Sequence, residues 1–142
     1  MDDEGFVDLN EMETLLNAYN KDSQYGKKRI RLVAVSGASN VLGVCNNLED
    51  ISRITHRYGA RLLVDGAQLV AHRKVALEEC GIDYFAFSAH KVYAPFGTGA
   101  LMVRKGLLQF TSNELERIKS SGEENAGGIA ALGKALMLLK RI

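Results

Sequence analysis

Hydrophobic positions along this chain follow two rhythms. Short continuous apolar runs at Ile30 to Val35, Arg61-Leu62-Leu63-Val64, Tyr84 to Phe87 and Ala100-Leu101-Met102-Val103 are bounded by glycine or small polar residues and read as buried strands. Other segments carry apolar residues at helical spacing. Leu9, Met12, Leu15 and Leu16 do so behind Asp8, a candidate N-cap, and that helix is expected to close at Gly26 and Lys27-Lys28-Arg29. Leu48, Ile51 and Ile54 mark a second amphipathic helix stopped by Gly59. Val75 to Cys80 is helix-like. From Asn113 the pattern is helical again, breaks over Ser120 to Glu124, and resumes from about Ile129 to Leu139.

Strands alternating with helices predict an α/β fold, a three-layer α/β/α arrangement around a mainly parallel sheet. The link from Lys91 to Gly99 is too short for a helical crossover, so the strand after it is expected to run antiparallel to the one before. Successive strands end in polar clusters: Ser39-Asn40, then Asp65 and Gln68, then Ser88, His90 and Lys91. In an open α/β sheet the carboxyl ends of parallel strands line the ligand crevice, so these clusters are expected to meet there.

Composition narrows the function. A chain of 142 residues with 46% hydrophobic residues can bury a domain-sized core. A net charge of +1, with lysines and arginines scattered, gives no footprint for nucleic acid or an anionic membrane. No apolar run approaches the roughly 20 residues that span a bilayer. The acidic start, Met1-Asp2-Asp3-Glu4, lacks a signal-peptide pattern, and a cytoplasmic location is the expectation. Cys45 and Cys80 have no metal-type spacing and are expected to be free thiols, and no metal site is expected.

The chemistry follows from an acid on one strand end and a lysine on the next. Pyridoxal 5'-phosphate needs that pair: an amine for its aldehyde and a carboxylate to keep its pyridine nitrogen protonated, so that the ring can accept electrons from a substrate carbanion. Ser88 and His90 suit a phosphate, which favours hydroxyl, imidazole and backbone N–H partners. Gln68 and Asn40 could reach the ring's phenolic oxygen.

Leu63-Val64-Asp65-Gly66-Ala67-Gln68, followed by Phe87-Ser88-Ala89-His90-Lys91 and Gly97-Thr98-Gly99, resembles the class V aminotransferase family, the fold-type I pyridoxal phosphate enzymes that include cysteine desulfurases and selenocysteine lyases. Ser39-Asn40-Val41-Leu42-Gly43 is similar to that family's asparagine loop. The resemblance runs from about Val7 to Leu139. It implies Lys91 as the Schiff-base lysine and Asp65 as the pyridinium partner, with Gln68 and Asn40 near the ring oxygen and Ser88 and His90 on the phosphate. It also implies an amino-acid substrate and a homodimer. Family members are longer, so residues 1–142 are expected to form part of a large cofactor domain, without an N-terminal segment and a C-terminal small domain. Gly122-Glu123-Glu124-Asn125 stands where relatives often carry Gly-Thr-Pro-Asn, and a carboxylate there would repel a phosphate.

Taken singly, each residue has a plainer reading. Asp65 before glycine can begin a turn, Lys91 can be a solvated lysine, and Gln68 and Asn40 can satisfy backbone groups. The arrangement, not any one residue, points to chemistry. His72 is expected to be a surface or capping group, and His56 lies on a helix surface with no role. The competing function is a catalytically incomplete fragment or assembly module, whose open sheet edges favour pairing with another chain.

Overall fold

A computed structural model describes residues 1–120 and 125–140. The elements run α1 (Leu9–Asn20), β1 (Leu32–Ser36), α2 (Leu48–Arg57), β2 (Arg61–Asp65), α3 (Leu69–His72), β3 (Tyr84–Ser88), a single 3-10 turn (Ala89–Val92), β4 (Gly99–Val103), α4 (Ser112–Lys119) and α5 (Ala126–Leu139). The sheet has four strands in the order β1-β2-β3-β4. β1, β2 and β3 are parallel, and β4 is antiparallel to β3. The expected α/β fold with a mainly parallel sheet is what forms.

Register and core explain one another. Val35 pairs with Val64, Val64 with Phe85, and Phe85 with Met102, so one row of side chains crosses all the strands. Leu62 and Val64 are fully buried, and Phe85, Phe87, Ile51, Leu132 and Ala135 pack into the same cluster. Each such side chain contributes on the order of 1.5–3 kcal/mol through burial. α2 turns Leu48, Ile51 and Ile54 inward, as its spacing predicts, and Asn47 caps it by accepting the Asp50 N–H. At the first helix, Asp8 accepts the N–H groups of Asn10 and Glu11.

Four expectations need correction. α1 ends at Asn20, not at Gly26: the N–H groups of Lys21 and Asp22 both return to the Asn17 carbonyl and close the helix early. The first strand begins at Leu32 and is only half-buried: Leu32, Ala34 and Ser36 on one face are exposed, while Val33 and Val35 on the other pack against the core. Val75 to Cys80 is no helix. Bonds from Cys80 N–H to the Ala76 carbonyl, Gly81 to Glu78 and Ile82 to Leu77 close one turn there, and Gly81 then leaves at φ +68°, a left-handed geometry that suits glycine. The regular helical turn lies earlier, at Leu69–His72.

The fourth correction is His56. Its Nε2 lies 2.6 Å from Oδ2 of Asp83, a fully buried carboxylate just before β3. The same oxygen accepts the Leu62 N–H at 2.8 Å, while Asp83 Oδ1 lies 3.4 Å from Arg104 and 3.6 Å from Arg61. Burial pushes this carboxyl upward, but the hydrogen bonds from His56 and Leu62 and the charges of His56 and Arg104 outweigh it, and the net direction is below the usual aspartate value. His56 therefore has a structural role after all.

Candidate active site

The site is built at the carboxyl ends of the parallel strands. Ser36 and Asp65 are paired in register at the ends of β1 and β2, and Ser88 closes β3 two residues beyond Ala86, the partner of Asp65. The polar clusters of adjacent strands thus lie side by side.

From β1 the chain turns at Ser39, whose Oγ accepts the N–H groups of Val41 and Leu42 and holds the loop that presents Asn40. Asn40 Oδ1 accepts a hydrogen bond from Gln68 Nε2 at 3.0 Å. This pair joins the loop after β1 to the loop after β2. It flanks a cavity of about 450 Å³ that Cys45, His72 and Arg73 also line. His72 is exposed at the rim and makes no hydrogen bond or ion pair among the described residues.

Asp65 ends β2 exposed. Its Oδ1 accepts the Ala67 N–H at 2.9 Å, the turn expected of an aspartate before glycine, and Oδ2 has no partner among the described residues. Gly66 is required here. A Cβ at that position would sit 2.0 Å from Cζ of Phe85, so only glycine lets the core ring pack beneath the strand end that carries the acid.

At the end of β3, Ser88 Oγ and His90 Nδ1 share a hydrogen bond of 2.7 Å. Lys91 follows in the 3-10 turn. That turn is rigid: Ala89 and Val92 are fully buried, the Ala89 N–H donates to the Thr98 carbonyl at 2.9 Å, and the Tyr93 and Ala94 N–H groups return to the Ala89 carbonyl. Lys91 is half-buried, and its amine meets no hydrogen-bond or ion-pair partner among the described residues.

Several participants were not visible as site residues in the sequence. Tyr93 adopts φ +66°, rare for a residue with a Cβ, and turns the chain away after Lys91. Phe96 stacks on the His90 ring, with centroids 4.8 Å apart and planes within 18°. Asn125 caps α5 by accepting the Gly128 N–H, and its amide donates to Thr98 Oγ1 at 3.2 Å, fastening α5 to the turn beyond Lys91. The Pro95-Phe96-Gly97 tripeptide was the available signal for the second of these. Gly122, Glu123 and Glu124, expected near a phosphate, lie outside the described residues.

The donor set fits pyridoxal phosphate. Among the described residues it offers a carboxylate with a free oxygen, an unpaired amine, a hydroxyl–imidazole pair and an amide pair, each at the end of a parallel strand or in the loop that follows.

An α/β sheet with acid, amide and lysine at its strand ends sets the frame, and comparison with known proteins specifies the family. The aminotransferase class-V family model matches residues 1–141, and the chain belongs to that family. A cysteine desulfurase from Klebsiella pneumoniae is 37% identical over 134 residues, covering 80% of this chain and 33% of the relative. Another from Dickeya dadantii is 43% identical over 107 residues, covering 75% of this chain and 24% of the relative. Among solved structures, an apo cysteine desulfurase from Thermococcus onnurineus superposes with a TM-score of 0.76 at 29% identity, over 100% of this chain and 38% of that one. The chain spans about a third of the length of the Klebsiella relative.

Proposed function

We propose that this chain carries the cofactor lysine of a pyridoxal-phosphate-dependent enzyme that acts on an amino acid, as a cysteine desulfurase or a related aminotransferase does. The observation that carries the reading is the amine of Lys91, without a partner among the described residues and held on a rigid turn one strand over from Asp65, whose Oδ2 likewise has none there. Membership of the class-V family supports it.

In this reading Lys91 Nζ holds the cofactor and later holds and returns the proton of the substrate Cα. When bound, the cofactor supplies an electron sink for charge developing at that carbon. Asp65 Oδ2 would hold the proton on the pyridine nitrogen, and Ser88 and His90 would bind the phosphate. The Asn40–Gln68 pair would hold the ring's phenolic oxygen, for which Gln68 keeps a second N–H after donating to Asn40.

The test is reconstitution with pyridoxal phosphate followed by borohydride reduction. The expected result is one covalently labelled lysine, Lys91, and no label in Lys91→Ala. A label that survives in Lys91→Ala sinks the assignment. A second reading, an assembly module that does not turn over alone, is favoured by the exposed edge at β1. Size exclusion with a cofactor titration separates the two: stoichiometric binding by a monomeric chain argues against the module.

A further inference from the structure

We infer that Phe96 is a positioning residue for His90, clamping the imidazole so that Nε2 is the nitrogen presented to an anionic group at the site. The inference rests on the reading of Ser88 and His90 as phosphate partners and extends it to a residue to which no role has been given.

Two contacts define the His90 ring. Nδ1 is engaged by Ser88 Oγ at 2.7 Å, which fixes one edge. The Phe96 ring lies on its face at 4.8 Å and 18°, which fixes the plane. An exposed histidine held by the hydrogen bond alone could rotate about its side-chain torsions, and Nδ1 and Nε2 could exchange roles. With both contacts made, Nε2 is the ring nitrogen left for another partner, and it donates in the tautomer in which Nδ1 accepts the Ser88 hydroxyl proton.

The backbone puts Phe96 there and leaves it little else to do. It is 80% exposed, outside the core, and its one ring contact among the described residues is His90. Pro95 restricts the backbone immediately before it. Gly97 turns back immediately after it at φ +87°. The N–H of Ala94 is bonded to the Ala89 carbonyl, so the segment is anchored on the same turn that carries His90. A stacked pair of this kind contributes a small but measurable bias, roughly a two- to tenfold preference for the clamped arrangement.

The experiment is histidine side-chain nitrogen NMR on the full chain, with the His90 signals assigned through His90→Asn. In the unsubstituted chain, His90 is expected to show one predominant ring tautomer. Phe96→Leu should collapse that preference toward averaged nitrogen shifts, while His56 and His72 signals stay in place. Phe96→Tyr, which keeps the stack, should restore the pattern. With pyridoxal phosphate added, Phe96→Leu should weaken binding by roughly two- to tenfold. Unchanged His90 nitrogen shifts in Phe96→Leu overturn the inference, as does a Phe96→Tyr chain that behaves like Phe96→Leu. The NMR arm needs no cofactor. Failure of the Lys91 assignment would show in borohydride labelling and leave that arm standing.

Discussion

Nε2 of His56 on α2 and Oδ2 of Asp83 at the entrance to β3 stand 2.6 Å apart, with Arg61 and Arg104 closing around the other carboxylate oxygen. One buried acid thereby ties a helix to β2, to β3 and to the residue that follows β4. This tie lies at the ends of β2 and β3 opposite those that bear Asp65 and Ser88, so it can be altered without touching the proposed chemistry.

Replacing His56 with alanine leaves Asp83 with the Leu62 N–H and two more distant arginines. The expected loss is about 1–3 kcal/mol of stability, the cost of an under-partnered buried acceptor. Urea denaturation of His56→Ala checks it. A midpoint unchanged from the parent would mean that the contact carries no weight.

Stability should also depend on acid in a direction fixed by Asp83. Its carboxyl lies below the ordinary value when folded, despite burial pushing it upward. The group therefore binds protons more readily in the unfolded chain, where aspartate titrates near about 3.9. Its contribution is full above that value and disappears as pH falls through the lower, folded value. Thermal melts of Asp83→Asn should be less stable near neutrality and show a flatter decline below about pH 4 than the parent. Parallel declines in the two proteins would contradict this.

Gly66 couples core to site. Gly66→Ala forces a methyl group against the Phe85 ring, and overpacking of this kind costs about 1–3 kcal/mol. Near-ultraviolet circular dichroism should register a displaced aromatic environment along with the lower melting temperature. An alanine variant as stable as the parent would show that Phe85 moves aside freely.

Asp65→Asn tests the electronic role apart from binding. It keeps the turn, because an asparagine oxygen can still accept the Ala67 N–H, but removes the charge. With pyridoxal phosphate bound, the borohydride label on Lys91 should persist while turnover falls by a factor on the order of 100 or more. Equal turnover in the variant would remove Asp65 from the proposed mechanism.

Much of this was legible in the sequence because it is local. Asp8 caps α1, Leu48, Ile51 and Ile54 face inward, and the short Lys91–Gly99 link forces β4 to run antiparallel. Each depends on residues close together in the chain. His56 was misread because its partner lies 27 residues away and only the parallel pairing of β2 with β3 brings Asp83 beneath α2. β1 differs because an apolar run declares its β character but not whether both faces of the strand are covered. The Val75–Cys80 segment has the composition of a helix, and its length permits only a turn before Gly81 reverses the chain. At the site, Asn40 and Gln68 were placed together by strand order alone, whereas the Phe96 stack depends on the path set by Pro95 and Gly97.

The left-handed backbone at Tyr93 has a consequence for rate. Because the turn around Lys91 is pinned on both sides, the amine is not a solute that must find its target but a short arm on a fixed post. Most of the translational and rotational freedom that a free amine would lose in reacting is already gone when the chain folds. Where the reacting group also lies in near-attack geometry, tethering corresponds to effective concentrations on the order of 10⁵ M or more. The unusual dihedral of one exposed tyrosine is thus part of what would make a single lysine behave as if it were present far above any attainable solution concentration.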